Sequence, residues 1–107
     1  MNTQDFLILK NESNLVRIEL EHIVYLTIKD YILTCATVCG ERFKCSNSLK
    51  AVEGGLPPHF VRINRNTVIN TDCARVLCSK KRTVVMKDQS AHHVAYRRMG
   101  EVKTFFG

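Results

Sequence analysis

Phe60-Val61-Arg62-Ile63-Asn64-Arg65-Asn66-Thr67-Val68-Ile69-Asn70 reads as two short strands joined by a polar turn. Phe60–Asn64 and Thr67–Asn70 carry the apolar residues, and Asn64, Arg65 and Asn66 break the pattern between them. Asn bends a chain by bonding its own backbone, so Asn64 and Asn66 are as readily turn-formers as ligand contacts. Arg62 lies between Val61 and Ile63, and a guanidinium among apolar strand neighbours is expected to find an internal partner. Asn70 is expected to stabilise a turn ahead of Asp72.

Short strands continue on both sides of this block. Upstream, Leu15–Glu21 alternates, with Val16, Ile18 and Leu20 on one face and Arg17, Glu19 and Glu21 on the other. Ile23–Ile28 is nearly all apolar, as in a strand covered on both sides. Tyr31–Val38 follows Lys29-Asp30 as another strand, and Gly40 turns the chain into Arg42–Cys45. Ser46 offers an N-cap for two helical turns over Ser48–Glu53, which Gly54-Gly55 and Pro57-Pro58 stop. Downstream come strands over Ala74–Ser79, Thr83–Lys87 and Ala91–Ala95, with hairpin loops at 79–82 and 88–90. A terminal helix is expected from about Arg97 to Phe105, weakened by Gly100. Many short strands with one internal helix indicate a mainly β fold, a sandwich or an open barrel.

The 107 residues fit one domain, 1–107, and 45% hydrophobic residues against 24% charged exclude a disordered chain. Net charge is +6, unevenly placed. Residues 1–53 hold six Lys/Arg and seven Asp/Glu, a net of −1; residues 54–107 hold ten against three, a net of +7. A basic half suits a polyanion partner, or else a solvated face. No apolar run reaches the ~20 residues that span a bilayer, and no basic amphipathic helix suits a membrane surface. Met1–Lys10 has no signal-peptide pattern, so a cytoplasmic location is expected. The five cysteines, an odd number, read as reduced and mostly buried.

Five blocks in register resemble the LytTR family of bacterial DNA-binding domains. Phe60, Arg62, Arg65, Val68-Ile69 and Asn70 match its most recognisable stretch. Ile23-Val24-Tyr25-Leu26, the turn ending in Tyr31, Ser46-x-x-Leu49 and Val94-Ala95-Tyr96-Arg97-Arg98 match the others, so the likeness covers about residues 14–106. The resemblance implies elongated, packed β-sheets and sequence-specific binding of double-stranded DNA for transcription regulation. It also implies loops entering successive major grooves, direct-repeat targets and a possible homodimer on DNA. Most family members are the output half of response regulators in two-component systems. These 107 residues hold no receiver domain, so the chain is either a stand-alone member or a fragment.

On the residues that the resemblance carries over, Arg65 is the first candidate for base contact. A guanidinium can grip guanine O6 and N7 with two hydrogen bonds, worth about 1–3 kcal/mol of discrimination. Asn64 and Asn66 flank it, and Asn can pair both ways with adenine. Arg97 is the second candidate, with Arg98 beside it as a phosphate clamp. Lys29 and Tyr31 occupy the third contact loop, although Tyr31 also reads as a strand-end core residue. The basic loop Lys80-Lys81-Arg82 could touch phosphate or point away. Asn64 and Asn66 depart from the family's usual His and Ser, and Ala95-Tyr96 stands where Ser often precedes the Arg, which leaves the target sequence open.

Other readings are weaker. Two amphipathic helices for a helix-turn-helix are missing. Cys35-x3-Cys39, Cys73-x4-Cys78 and His92-His93 are zinc-type ligands, but Cys35, Cys73 and Cys78 fall among apolar strand neighbours rather than in paired turns. No Gly-rich phosphate loop, nucleophile elbow or H-E-x-x-H appears, so no enzyme, cofactor or small-molecule substrate is expected. RNA binding would draw on exposed aromatics, and the chain has three Tyr, five Phe and no Trp. A protein-interaction module of the same fold is the remaining alternative.

Overall fold

The computed structural model describes residues 6–107, so the first half of the Met1–Lys10 stretch read for a signal peptide lies outside them. In chain order the strands are β1 Phe6–Asn11, β2 Asn14–Glu19, β3 Ile23–Lys29, β4 Ile32–Thr37, β5 Arg42–Cys45, β6 Phe60–Asn64, β7 Thr67–Asn70, β8 Ala74–Cys78, β9 Thr83–Met86 and β10 Ala91–His93. Two short helices, α1 Leu49–Glu53 and α2 Met99–Thr104, accompany them. The fold is mainly β, with the expected internal and C-terminal helices.

The centre is a five-stranded antiparallel sheet in the order β5-β4-β3-β7-β6. One face of it packs on the β1–β2 hairpin and α1 through Leu26, Leu33, Cys35 and Val68, which meet Leu7, Leu9, Leu49 and Val52. The other face uses Val24, Tyr25, Val61 and Ile69 against the β10-β9-β8 sheet and α2, whose Val84, Met86 and Val102 fill the second core together with Val94, just past β10. β3 is therefore buried on both sides, as its unbroken apolar run requires. Each fully buried Leu, Ile or Val adds about 1.5–3 kcal/mol to folding.

Local differences from the sequence reading have local causes. Val16, Ile18 and Leu20 do share the inward face, but their partner β1 was not foreseen. The Phe6-Leu7-Ile8-Leu9 run lacks a polar alternation, yet Leu7 and Leu9 point in while Phe6 and Ile8 stay exposed. The cap of α1 is Ser48 rather than Ser46, because Ser48 Oγ accepts the Ala51 N–H at 3.1 Å. Ser46 instead bonds the Lys10 carbonyl. The last helix starts as a 3-10 turn over Tyr96–Arg98 and continues as α2 through Gly100. Cys73 lies in a 3-10 turn, Thr71–Cys73, rather than in a strand. Asn70 builds that turn: its Oδ1 accepts from Asp72 N at 3.0 Å and its Nδ2 donates to Ile23 O at 2.9 Å.

Candidate nucleic-acid interface

Strand pairing brings three turns to one end of the molecule. The β3–β4 turn is Asp30-Tyr31, closed by the Lys29↔Ile32 pair. Both turn residues have positive φ, 52° and 67°, the geometry of the type I′ hairpin turn. Asn-Gly or Asp-Gly is the usual sequence there, because a β-carbon is strained in this region. Tyr31 sits there with 95% of its surface exposed. It is no core residue, and it borders a shallow cleft with Asn11, Glu12 and Lys44.

The β6–β7 turn is Arg65-Asn66, closed by the Asn64↔Thr67 pair. Neither residue has positive φ, so the turn does not match the strand twist unaided. Three features hold it. A register shift lies between Arg62 and Asn64. Arg62 Nη1 donates to the Arg65 carbonyl at 2.8 Å, while Nη2 and Nε donate to Glu53 Oε1 at 2.7 and 3.1 Å. Asn64 Oδ1 accepts the Asn66 N–H at 2.8 Å. Arg62 thus has the internal partners expected of it, and its guanidinium ties α1 to the turn. Arg65 and Asn66 remain exposed.

The third segment is the exit from β10. Asn64 Nδ2 donates to His93 O at 2.7 Å, and Ala95 N donates to Ile63 O at 2.8 Å. These bonds fasten residues 93–95, and so the start of Tyr96-Arg97-Arg98, to the β6–β7 hairpin. In turn Ile28 N and Thr27 Oγ1 donate to Asn66 O at 2.9 and 3.1 Å, which joins that hairpin to the end of β3. A shallow cleft results, lined among others by Thr27, Lys29, Asn64, Arg65, Asn66 and His93.

Each candidate residue can now be placed. Lys29, Asn64, Arg65 and Asn66 share the cleft. Asn64 uses both ends of its carboxamide to build the site, which leaves Arg65 and Asn66 as the exposed groups of the turn. Tyr31, on the adjoining turn, lines a different shallow cleft with Asn11, Glu12, Ile32 and Lys44, so the structure does not bring it into the cleft of Lys29 and Arg65. Arg97 is exposed two residues past Ala95, outside the cleft lining. Arg98 is half-buried and lies 3.6 Å from Glu101 across one helical turn. Sequence reasoning overlooked Arg42 and Lys44, which line a second shallow cleft with Lys29 on the same sheet face. The alternation Arg42-Phe43-Lys44-Cys45, with Cys45 buried, was the available signal. Tyr96 was also overlooked; it is 79% exposed beneath the Arg82 guanidinium, 5.7 Å from its ring centroid.

Electrostatics at the end of β10 favour a neutral imidazole. Burial lowers the pKa of His92, opposed by nearby Asp88. Its ring lies 4.3 Å from that of Tyr25, and Nε2 is 2.9 Å from Ser90 Oγ. His92 therefore packs the second core beneath the surface that His93 borders. Elsewhere, Cys35 and Cys45 belong to the first core and Cys73 to the second. Among the described residues no three His, Cys, Asp or Glu side chains form a group fit to hold a metal ion. No helix among them is long and apolar enough to cross a membrane.

With this geometry in place, the family model described as the LytTr DNA-binding domain matches residues 13–107. The chain belongs to the LytTR family. Its fold is also that of the LytTr DNA-binding domain of a response regulator from Bacillus cereus. That likeness has a TM-score of 0.80 and covers 98% of this chain and 99% of the other at 17% identity. No curated protein matches. As a LytTR domain the chain is a DNA-binding module of transcription regulation.

Proposed function

We propose that this domain recognises a specific double-stranded DNA sequence in the cytoplasm, with Arg65 as the principal base-reading side chain and no cofactor. Arg97 is the second reading residue. Asn66, Lys29 and Tyr31 complete the contact face, Asn64 shapes it, and Arg98 meets phosphate. The observation that carries the reading is the mutual bonding of three segments distant in sequence, 27–28, 63–66 and 93–95, which hold the neighbouring Lys29, Arg65 and Arg97 at one end of the sheet. Such a cluster sets several donors at fixed spacing on a rigid sheet end, the arrangement that groove reading needs. The LytTR membership supplies the class of partner, and loop tips rather than a recognition helix supply the donors. Direct-repeat targets and two copies per site are part of the same proposal.

Selection of bound duplexes from a random pool tests it. A reproducible motif is expected, with affinity that falls steeply with salt, by a log–log slope of about 0.9 per phosphate contacted. Equal capture of all duplexes, or preference for single-stranded RNA in direct competition, overturns it.

A further inference from the structure

The turn between β8 and β9, Ser79-Lys80-Lys81-Arg82, is a basic feature that the three contact segments leave out. Residues 74–87 contain Arg75, Lys80, Lys81, Arg82 and Lys87 and no acidic residue. Lys80 and Lys81 are exposed, and among the described residues neither takes part in an ion pair. The turn is not a free appendage. Arg82 has φ of 50° and its carbonyl accepts the Val94 N–H at 2.8 Å. Its guanidinium covers the Tyr96 ring, next to Arg97. The same short segment, Val94–Arg97, is thus bound on one side to the β6–β7 hairpin through Ala95 and on the other to the β8–β9 turn through Val94 and Tyr96.

We propose that the Lys80-Lys81-Arg82 turn is a phosphate-gripping arm of the DNA face, holding the duplex backbone beside the bases met by Arg65 and Arg97. The proposal rests on the DNA-reading face described above and lengthens it. An unpaired ammonium on a flexible stem is a compact point charge without a fixed donor fork, which suits phosphate better than a base edge. Arg82 acts differently. Its backbone bond and its stacking on Tyr96 fix the turn against the reading segment, so the two lysines are carried at a set distance from Arg97. Val94 bonds Arg82 and Ala95 bonds Ile63, so the turn stands on the far side of residues 94–95 from Arg65, where its lysines can follow backbone outside the bases that are read.

Salt titrations on the whole chain test this, with a selected duplex and an unrelated duplex of equal length. The Lys80→Ala/Lys81→Ala variant is compared with a charge-matched Arg17→Ala/Lys50→Ala variant on the hairpin and helix of the opposite layer. In the first, the log–log salt slope is expected to fall by about 1–2. Affinity should drop by the same factor for both duplexes, and the control should keep the wild-type slope. An unchanged slope overturns the arm, and an equal drop in the control reduces it to overall charge. Loss of preference between the duplexes, with the slope kept, overturns it as well, since the turn would then be reading bases. Wild-type protein without salt-dependent duplex binding would remove the DNA-reading face itself, and the arm with it.

Discussion

Arg62 donates to the carbonyl oxygen of Arg65 at 2.8 Å, so one arginine fixes the backbone that presents the other. The same guanidinium bonds Glu53 of α1, with 19% of the Arg62 side chain and 35% of the Glu53 side chain exposed. Arg62→Ala removes both ties and strands the Glu53 carboxylate. Half-buried hydrogen-bonded pairs of this kind contribute about 1–2 kcal/mol after allowance for solvent. The denaturant midpoint should fall accordingly. Arg62→Lys reaches one acceptor at a time, so it should keep more stability than Ala yet lose selectivity between duplexes. Wild-type selectivity in Arg62→Lys would mean that the turn holds itself.

Arg65→Ala and Arg97→Ala act at the tips and touch no core. Each should relax base preference by about 1–3 kcal/mol at the positions it meets. Thermal unfolding should be unchanged within about 0.5 kcal/mol, as for other surface substitutions. Competition binding on single-base variants of the selected site measures the first effect. Full discrimination in both variants would show that the bases are read from elsewhere.

Tyr31 holds a left-handed backbone that costs a side chain about 1–2 kcal/mol. Tyr31→Gly gives the Asp-Gly pair suited to this turn, so the melting temperature should stay level or rise. DNA affinity should fall, because the exposed ring is gone. Residues kept in strained conformations without a packing role tend to serve function. Equal affinity in the variant would leave the strain without a purpose on DNA.

The pKa of His92 is depressed in the fold by burial, so the unfolded chain binds the extra proton more readily. Its contribution to stability is complete above the unfolded value, about 6.5, and is lost as pH falls towards the lower folded value. Chemical denaturation from pH 7.5 to 5 should therefore show a decline, shallower in His92→Gln. Parallel curves for the two proteins would assign the decline to other groups.

Thiol labelling should separate the cysteines. Cys39 is exposed in the β4–β5 turn and should react in the native state. Cys35 is buried, and burial together with the neighbouring Cys45 thiol pushes its pKa up to about 12. Thiolate is the reactive form, so Cys35 should label only on unfolding. Native labelling of Cys35 at the rate of Cys39 would contradict the sealed first core.

Strand positions from β2 to β10 were readable because apolar alternation reports burial directly. The Leu15–Glu21 pattern carried into β2 as far as Glu19, where a 3-10 turn over Leu20–His22 takes over, and the double-sided Ile23–Ile28 run carried into β3. What escaped was decided by tertiary pairing. β1 became a strand because Leu7 and Leu9 find Val16 and Ile18 across the hairpin, a partnership that the Phe6–Leu9 run does not announce. The Asp30-Tyr31 turn lacks glycine, so Tyr31 passed for the start of β4. At the candidate site, the composition of the β6–β7 turn was legible and its internal wiring was only half so. The need for a partner at Arg62 followed from its apolar neighbours, but Glu53 as that partner did not. The clustering of Arg42 and Lys44 with Lys29 depends on cross-strand register, which spacing within one strand cannot supply.

The bond from Ala95 N to Ile63 O has a consequence for synthesis. A ribosome releases the β6–β7 hairpin, complete at Asn70, before residues 93–95 that fasten it, so an emerging polypeptide carries Arg65 well before it carries a finished surface. Duplex recognition should thus arise in a single late step, once residue 95 has left the exit tunnel, and fragments ending earlier should be unable to compete for regulatory sites.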